Sequence, residues 1–304
     1  MNQTMRTSRA VSRAISGAAY AAALIAAVLV VALVDPGPPL AAIGLGTLVA
    51  TVVVFAVSMA VDNSSIYDPY WSLQPLAIAV YYLAAGWDGI DARQVLVAVL
   101  VFFYALRLTS NFYRDWPGLA KEDFRYRAFR ASAGRAYWPV SFAGIHLFPT
   151  VMVYLGCLPL FAVTRRGAAG LGWLDGVAMV VLAGAIVLAF VADEQLRAFR
   201  RDPQNRGRTI GSGLWAYSRH PNYLGEMATW WGLWLFALAA GLSWWWTVVG
   251  ALAITLLFVF VSVPMMEKRA STTREGYQDY RERTPMLVPS LRRATLVDPD
   301  GPGA

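Results

Sequence analysis

An all-helical bundle spanning a membrane is the fold class this sequence predicts, and three observations carry the prediction. The 304 residues are 57% hydrophobic and only 15% charged, where a soluble domain carries about 25% charged residues. Apolar runs long enough to cross a hydrocarbon core of roughly 30 Å recur along most of the chain. The basic residues gather in a few segments between those runs, so the chain reads as a polytopic membrane protein with about eight transmembrane helices.

The first run, 15–34, follows Arg6, Arg9 and Arg13. It is longer than the apolar core of a secretory signal and further runs follow it, so it reads as a retained signal anchor. The second, 39–61, completes an N-terminal helical hairpin over 1–62. The third, 70–86, is short and is entered through Tyr67-Asp68-Pro69-Tyr70-Trp71. The fourth, 94–112, carries Tyr104 and Arg107 near one end. The fifth, 138–163, holds His146, read as structural, and Cys157, read as a small buried hydrophobe. The sixth, 173–192, runs directly into Asp193-Glu194-Gln195-Leu196-Arg197-Ala198-Phe199-Arg200. The seventh and eighth, 222–240 and 244–264, are separated only by Gly241-Leu242-Ser243, which predicts a tight helical hairpin. Residues 63–292 form the main bundle, and the proline- and glycine-rich end, 293–304, is expected to be disordered.

Charge orients the bundle. Six basic residues lie between Arg114 and Arg135, six between Arg197 and Arg219, and seven follow Pro264, all on one face, whereas the other face keeps Arg93, Arg165 and Arg166. The positive-inside rule makes the basic face, with both termini, cytoplasmic. The net charge of +7 is then a matter of topology and calls for no nucleic-acid partner. A single cysteine excludes a disulfide framework and a thiol metal site. No His-x-x-x-His, Cys-x-x-Cys or acidic cluster has metal-ligand spacing, and no Gly-x-Gly-x-x-Gly or Walker loop signals a soluble nucleotide domain.

The chemistry-capable residues concentrate in three segments, 113–137, 193–221 and the tail from 265. Asp193, Arg197 and Arg200 fall at i, i+4 and i+7, one face of a continuing helix with room for an intrahelical ion pair. Arginine at such density suits phosphates, which its planar fork binds through charge-assisted hydrogen bonds. His220 precedes Pro221, which starts a helix there. Asn222, Tyr223 and Glu226 then lie at its beginning, with Asn222 and Glu226 facing inward. Polar groups at the mouth of a membrane helix are expensive unless paired with one another or with a ligand. Glu267, with Lys268 and Arg269 beside it, has to be paired and is within reach of the cluster around Arg219. The run Glu122 to Arg130 reads as an interfacial anchor whose aromatics seat at headgroup level. Asp68 faces either a cavity or water.

The stretch Gly213-Leu214-Trp215-Ala216-Tyr217-Ser218-Arg219-His220-Pro221-Asn222-Tyr223-Leu224-Gly225-Glu226 resembles the hallmark of the integral-membrane steroid 5-alpha-reductase superfamily, in particular its bacterial branch. Glu122 to Tyr126, Glu267, and the runs Tyr277 to Tyr280 and Pro285 to Pro289 fit the same pattern, and the resemblance covers roughly residues 60–290. It implies an oxidoreductase in the bacterial inner membrane with an NADPH site on the cytoplasmic face. The expected reaction reduces a carbon–carbon double bond conjugated to a carbonyl in an apolar steroid-like or lipid substrate. Carried over position by position, Asp193, Arg197, Arg200, Asn222 and Glu226 match the family's cofactor-binding pattern, with Arg219, His220 and Tyr223 in the same motif; Arg107, Glu267 and Arg269 complete the expected cofactor set. Tyr104 matches the tyrosine that contacts the substrate carbonyl, with Asp68 or Glu226 as its assisting acid. Ala189 departs from the pattern, standing where the steroid enzymes have an asparagine. Two other readings share part of the motif: an S-adenosylmethionine-dependent membrane methyltransferase of the isoprenylcysteine carboxyl type, and a non-catalytic sterol- or lipid-binding bundle.

Overall fold

The computed structural model of the chain describes residues 8–85, 89–164 and 170–289. The expected disordered end at 293–304, together with Arg6, Arg165 and Arg166, lies outside the described residues. Every regular element among them is helical. Two compact units divide the chain, Met1–Gly170 and Leu171–Ala304.

In the N-terminal unit, α1 (Arg9–Val34) and α2 (Pro39–Ala60) pack along each other. Helix α1 begins six residues before the apolar run because Ser8 caps it, its hydroxyl accepting from the Val11 N–H at 3.2 Å. Its buried stripe is Ser12, Ser16, Ala19 and Ala23, small residues three or four apart that permit close approach. Leu24, Ile25, Val28, Leu29 and Leu33 are exposed, as on a lipid-facing surface. Helix α3 (Asp68–Ala85) starts at Asp68, and α4 (Ala92–Asp115) opens with a reciprocal cap between Asp91 and Gln94.

The fifth apolar run is not one helix. The chain forms α5 (Phe124–Ala133), α6 (Tyr137–Ser141), a π-helical turn over Phe142–Leu147, α7 (Phe148–Gly156) and, after Cys157, α8 (Leu158–Thr164). Prolines explain the interruptions, since Pro149 and Pro159 lack the N–H that an unbroken helix requires. The widened turn directly before Pro149 absorbs that missing donor. His146, on this turn, is fully buried between Ser58, 3.1 Å from its Nε2, and the Ser141 carbonyl, 3.0 Å from its Nδ1. Cys157 is buried.

In the C-terminal unit, α9 (Trp173–Arg201) lies along α10 (Pro221–Ala240). Two glycines set the approach: a Cβ on Gly225 would stand 2.7 Å from the Ala185 carbonyl oxygen and 2.8 Å from Ala189 Cβ, and one on Gly232 would stand 2.7 Å from Leu182 Cβ. The small, fully buried Ala189 is therefore part of this crossing, which gives a packing reason for its departure from the asparagine pattern. After Gly241 a 3-10 stretch, Leu242–Thr247, leads into α11 (Val248–Leu257), a π turn at Phe258–Ser262, α12 (Val263–Thr273) and α13 (Tyr277–Arg283). This π turn again comes just before a proline, Pro264.

Six helical stretches among the described residues are long and apolar enough to cross a membrane: α1, α2, α4, Phe124–Thr164, α9 and Leu242–Thr273. The expected third and seventh spans form as helices of 18 and 20 residues, α3 and α10. Asp68 and Gln74 in α3, and Asn222 and Glu226 in α10, lower their hydropathy, and both helices bury many of their residues inside the protein.

Candidate functional site

The loop from Asp202 to His220 is fastened at both ends. Gly213 adopts φ +60°, and its missing side chain leaves space for Gln195, whose Oε1 accepts from the Leu214 N–H at 2.9 Å. Trp215 donates through Nε1 to the Ala192 carbonyl at 3.0 Å. The tail grips the loop from the other side: the Tyr280 hydroxyl donates to the Trp215 carbonyl at 2.6 Å, the Arg219 N–H to the Pro285 carbonyl at 2.9 Å, and the Glu275 N–H to the Gly207 carbonyl at 2.8 Å. Motif and tail thus form one structure, though some 60 residues separate them in sequence.

Between them opens a cleft of about 480 Å³, open solvent at its mouth included. Arg200, Arg219 and Arg274 line it with His220, Asn222, Trp215, Tyr277 and Tyr280. Glu267 lies buried behind the wall, with its Oε1 2.8 Å from Arg219 Nε and 3.2 Å from His220 Nε2, and its Oε2 3.5 Å from Arg281 Nε. Nη1 of Arg219 also donates to the carbonyls of Arg281 and Thr284. Burial pushes the His220 pKa below the ordinary imidazole value; Glu267 opposes that shift, and Arg219 adds to it. His220 is therefore neutral at neutral pH and donates from Nε2 to Glu267, while its ring stacks on Tyr223 at 5.4 Å. Tyr277 is pushed up to about 12, first by burial and then by the nearby Glu267 carboxylate.

Of the residues singled out in the sequence, Arg200, Arg219, His220 and Asn222 line the cleft. Asp193 accepts from Asn222 Nδ2 at 3.1 Å and so braces it. Arg197, buried, pairs with Glu194 three residues before it. Glu226 is buried one turn beyond Asn222, and Arg269 lies on the exposed side of α12, outside the lining. The sequence reading assigned no role to Arg274 or Trp215, and it noted Tyr277 and Tyr280 only as pattern. A basic residue followed at three and six positions by tyrosines in an otherwise polar tail was the available signal.

Tyr104, Arg107 and Asp68 belong to the N-terminal unit. Tyr104 is 2% exposed, its oxygen accepts from Trp71 Nε1 at 3.2 Å, and the Arg107 guanidinium lies 5.8 Å from its ring centre. Asp68 does not partner Tyr104. Its carboxylate accepts from the Tyr126 hydroxyl and stands 3.6 Å from Arg125. Tyr126 is accordingly buried within the unit instead of seated among headgroups, because its hydroxyl completes the Asp68 carboxylate.

The model of a family described as DUF1295, proteins of unknown function, matches residues 54–284. An uncharacterized protein of the yeast Schizosaccharomyces pombe is 26% identical over 274 residues, covering 82% of this chain and 79% of the relative. No solved structure matches the chain significantly. The matched region takes in both the Tyr104 region and the whole Gly213 to Glu226 motif with its tail.

Proposed function

Because the chain belongs to the DUF1295 family, whose match covers the cleft and every residue that builds it, we propose that it is an integral-membrane reductase. In this reading it is a steroid 5-alpha-reductase-like enzyme that uses NADPH to reduce a carbon–carbon double bond conjugated to a carbonyl in an apolar lipid or steroid-like substrate. The carrying observation is the cleft itself: arginines and aromatic rings converge at the ends of membrane helices, on the segments that bear the reductase-like motif. In this reading the basic face is cytoplasmic, as the positive-inside rule favours, and the membrane is a bacterial inner membrane, so that a dinucleotide is available to the cleft.

The donor set suits that cofactor. Arg200 and Arg219 present guanidinium groups to phosphate oxygens, and Asn222 offers an amide fixed by Asp193. Bound NADPH would supply a hydride to the β-carbon of the enone. The protein's own part is to hold charge and proton in place. His220, Glu267 and Arg219 form a buried triad that fixes the start of α10. Tyr104 is the group assigned to the substrate carbonyl oxygen, where negative charge develops; accepting from Trp71 polarises its hydroxyl and makes it a stronger donor.

The test is thermal stability of the detergent-purified protein with NADPH, NADH or S-adenosylmethionine. A ligand that binds only the folded state raises stability by mass action, about 2.7 kcal/mol at a hundredfold excess over its Kd. A shift with NADPH is expected. A shift with S-adenosylmethionine alone would turn the assignment to the methyltransferases, and no shift with any of the three would leave a non-catalytic lipid-binding bundle.

A further inference from the structure

Among the described residues, Arg274 is a cation of the cleft without a counter-charge. It directly follows α12, is half-buried, and lines the cleft beside Tyr277 and Tyr280. Among the described residues its guanidinium makes no hydrogen bond and no ion pair. The nearby carboxylate, Glu267, is already shared by Arg219, His220 and Arg281. The adjacent residue, Glu275, is exposed and is tied by its backbone to Gly207 and Thr209. Burial, opposed by the Tyr277 and Tyr280 phenols, holds the Arg274 pKa below the ordinary guanidinium value.

A desolvated charge with no partner is unfavourable on its own, and an anion in the cleft would offset it. Arginine's fork matches phosphate and carboxylate oxygens in bidentate, charge-assisted bonds. The rings of Trp215, Tyr277 and Tyr280 beside it are buried and wall in the guanidinium. The feature describes a site for a phosphate group. A phosphate monoester, carrying about −1.5 to −2 at neutral pH, answers this unmatched cation better than a pyrophosphate with one charge on each phosphorus.

Resting on the dinucleotide reading above, we infer that Arg274 binds the 2′-phosphate monoester of NADPH and is the residue that separates NADPH from NADH. Its removal leaves no buried partner behind, so the fold does not depend on it.

The experiment measures Kd and unliganded Tm of the full chain in detergent, for wild type, Arg274→Met and Arg274→Lys. The probes are NADPH, NADH, adenosine 2′,5′-bisphosphate and adenosine 5′-phosphate. Wild type should prefer each 2′-phosphorylated probe over its counterpart. Arg274→Met should weaken NADPH and the bisphosphate by roughly 10- to 100-fold, leave NADH and adenosine 5′-phosphate unchanged, and keep or raise Tm. Arg274→Lys should restore part of the preference. Equal weakening of NADPH and NADH, or no preference in wild type, would overturn the 2′-phosphate assignment while the dinucleotide reading stands. A large fall in unliganded Tm would show Arg274 to be structural and overturn it as well. Failure of all four probes to bind wild type would remove the dinucleotide reading, and this inference with it.

Discussion

The two units use the same kinds of polar side chain in opposite ways. In the N-terminal unit the groups close on one another. Glu122 accepts from the Ser64 N–H at 2.9 Å, the Tyr137 hydroxyl at 3.0 Å and Arg130 Nε at 3.2 Å, while Asp68 takes Tyr126 and His146 sits between Ser58 and Ser141. In the C-terminal unit Glu267 is committed in a similar way, but Arg274 faces a cleft with no hydrogen bond or ion pair of its guanidinium among the described residues. The difference teaches that residue type does not mark a ligand site; what marks it is hydrogen-bonding and charge capacity left open. A closed network should report on stability when mutated, and an open one on binding.

The largest expected effect tests what the open cleft depends on, the α9–α10 crossing. Gly225→Leu would place its Cβ 2.7 Å from a backbone carbonyl oxygen of α9, an atom that cannot give way without separating the helices. We expect a loss above about 4 kcal/mol, among the severest single-substitution effects, read as absence of monodisperse protein in detergent. Gly184→Ala on the same helix α9, where a new Cβ meets nothing within 4 Å, is the control. It should stabilise by about 0.5–1 kcal/mol through helix propensity. Equal behaviour of the two variants would remove the packing argument.

Next comes the closed network. Glu122→Ala strands Arg130, Tyr137 and the Ser64 N–H, and with Arg130 partly exposed the loss should be about 1–3 kcal/mol, the cost of a buried donor left unsatisfied. Chemical or thermal unfolding should show that loss while nucleotide affinity is retained. A variant that keeps its stability but loses affinity would place Glu122 with the open groups.

The cleft side is tested by Arg200→Ala and Glu226→Ala. Arg200 is exposed at the cleft, so its truncation should weaken NADPH by roughly 10-fold or more, as for loss of a charged hydrogen bond, with little change in Tm. Glu226 is buried, so its variant should lose both affinity and some stability. Unchanged NADPH affinity in both, measured by titration calorimetry, would sink the site.

How much of this was legible follows from the range of each contact. Helices and their membrane character were readable because hydropathy is local and continuous. The start of α10 was readable because His220-Pro221 is a local signal. The breaks at Phe142–Leu147 and Phe258–Ser262 were less so, since a hydropathy run does not register where Pro149 or Pro264 removes a donor. Most of the partnerships were illegible. Asp68 was read with Tyr104 and in fact meets Tyr126, 58 residues away in sequence, and Asp193 is met by Asn222 of another helix. The link from Glu267 to Arg219 was foreseeable from charge alone: a glutamate at a helix end among arginines has one plausible kind of partner. Arg274 was missed for the converse reason, because its significance is that no described residue pairs with its guanidinium, and no local signal in the sequence marks that.

The smallest expected effect concerns pH and comes from His220. Its folded pKa lies below the unfolded value of about 6.5, so the unfolded chain binds more protons in the interval between them. Stability from this group is therefore fully present above about pH 6.5 and is lost as pH falls toward the folded pKa, by at most about 1.4 kcal/mol per pH unit. The groups facing it are Glu267, Arg219, Arg274 and the stacked Tyr223. Tm should decline between pH 7 and 5, and His220→Gln should make that decline shallower without abolishing it, since carboxylates elsewhere also titrate. A bound polyphosphate adds negative charge beside the imidazole, favours its protonated form in the folded state, and so should also flatten the acid limb in wild type but not in His220→Gln. A ligand effect of equal size in both proteins would mean that the anion does not sit next to His220, and the open cleft would lose one wall of its assigned site.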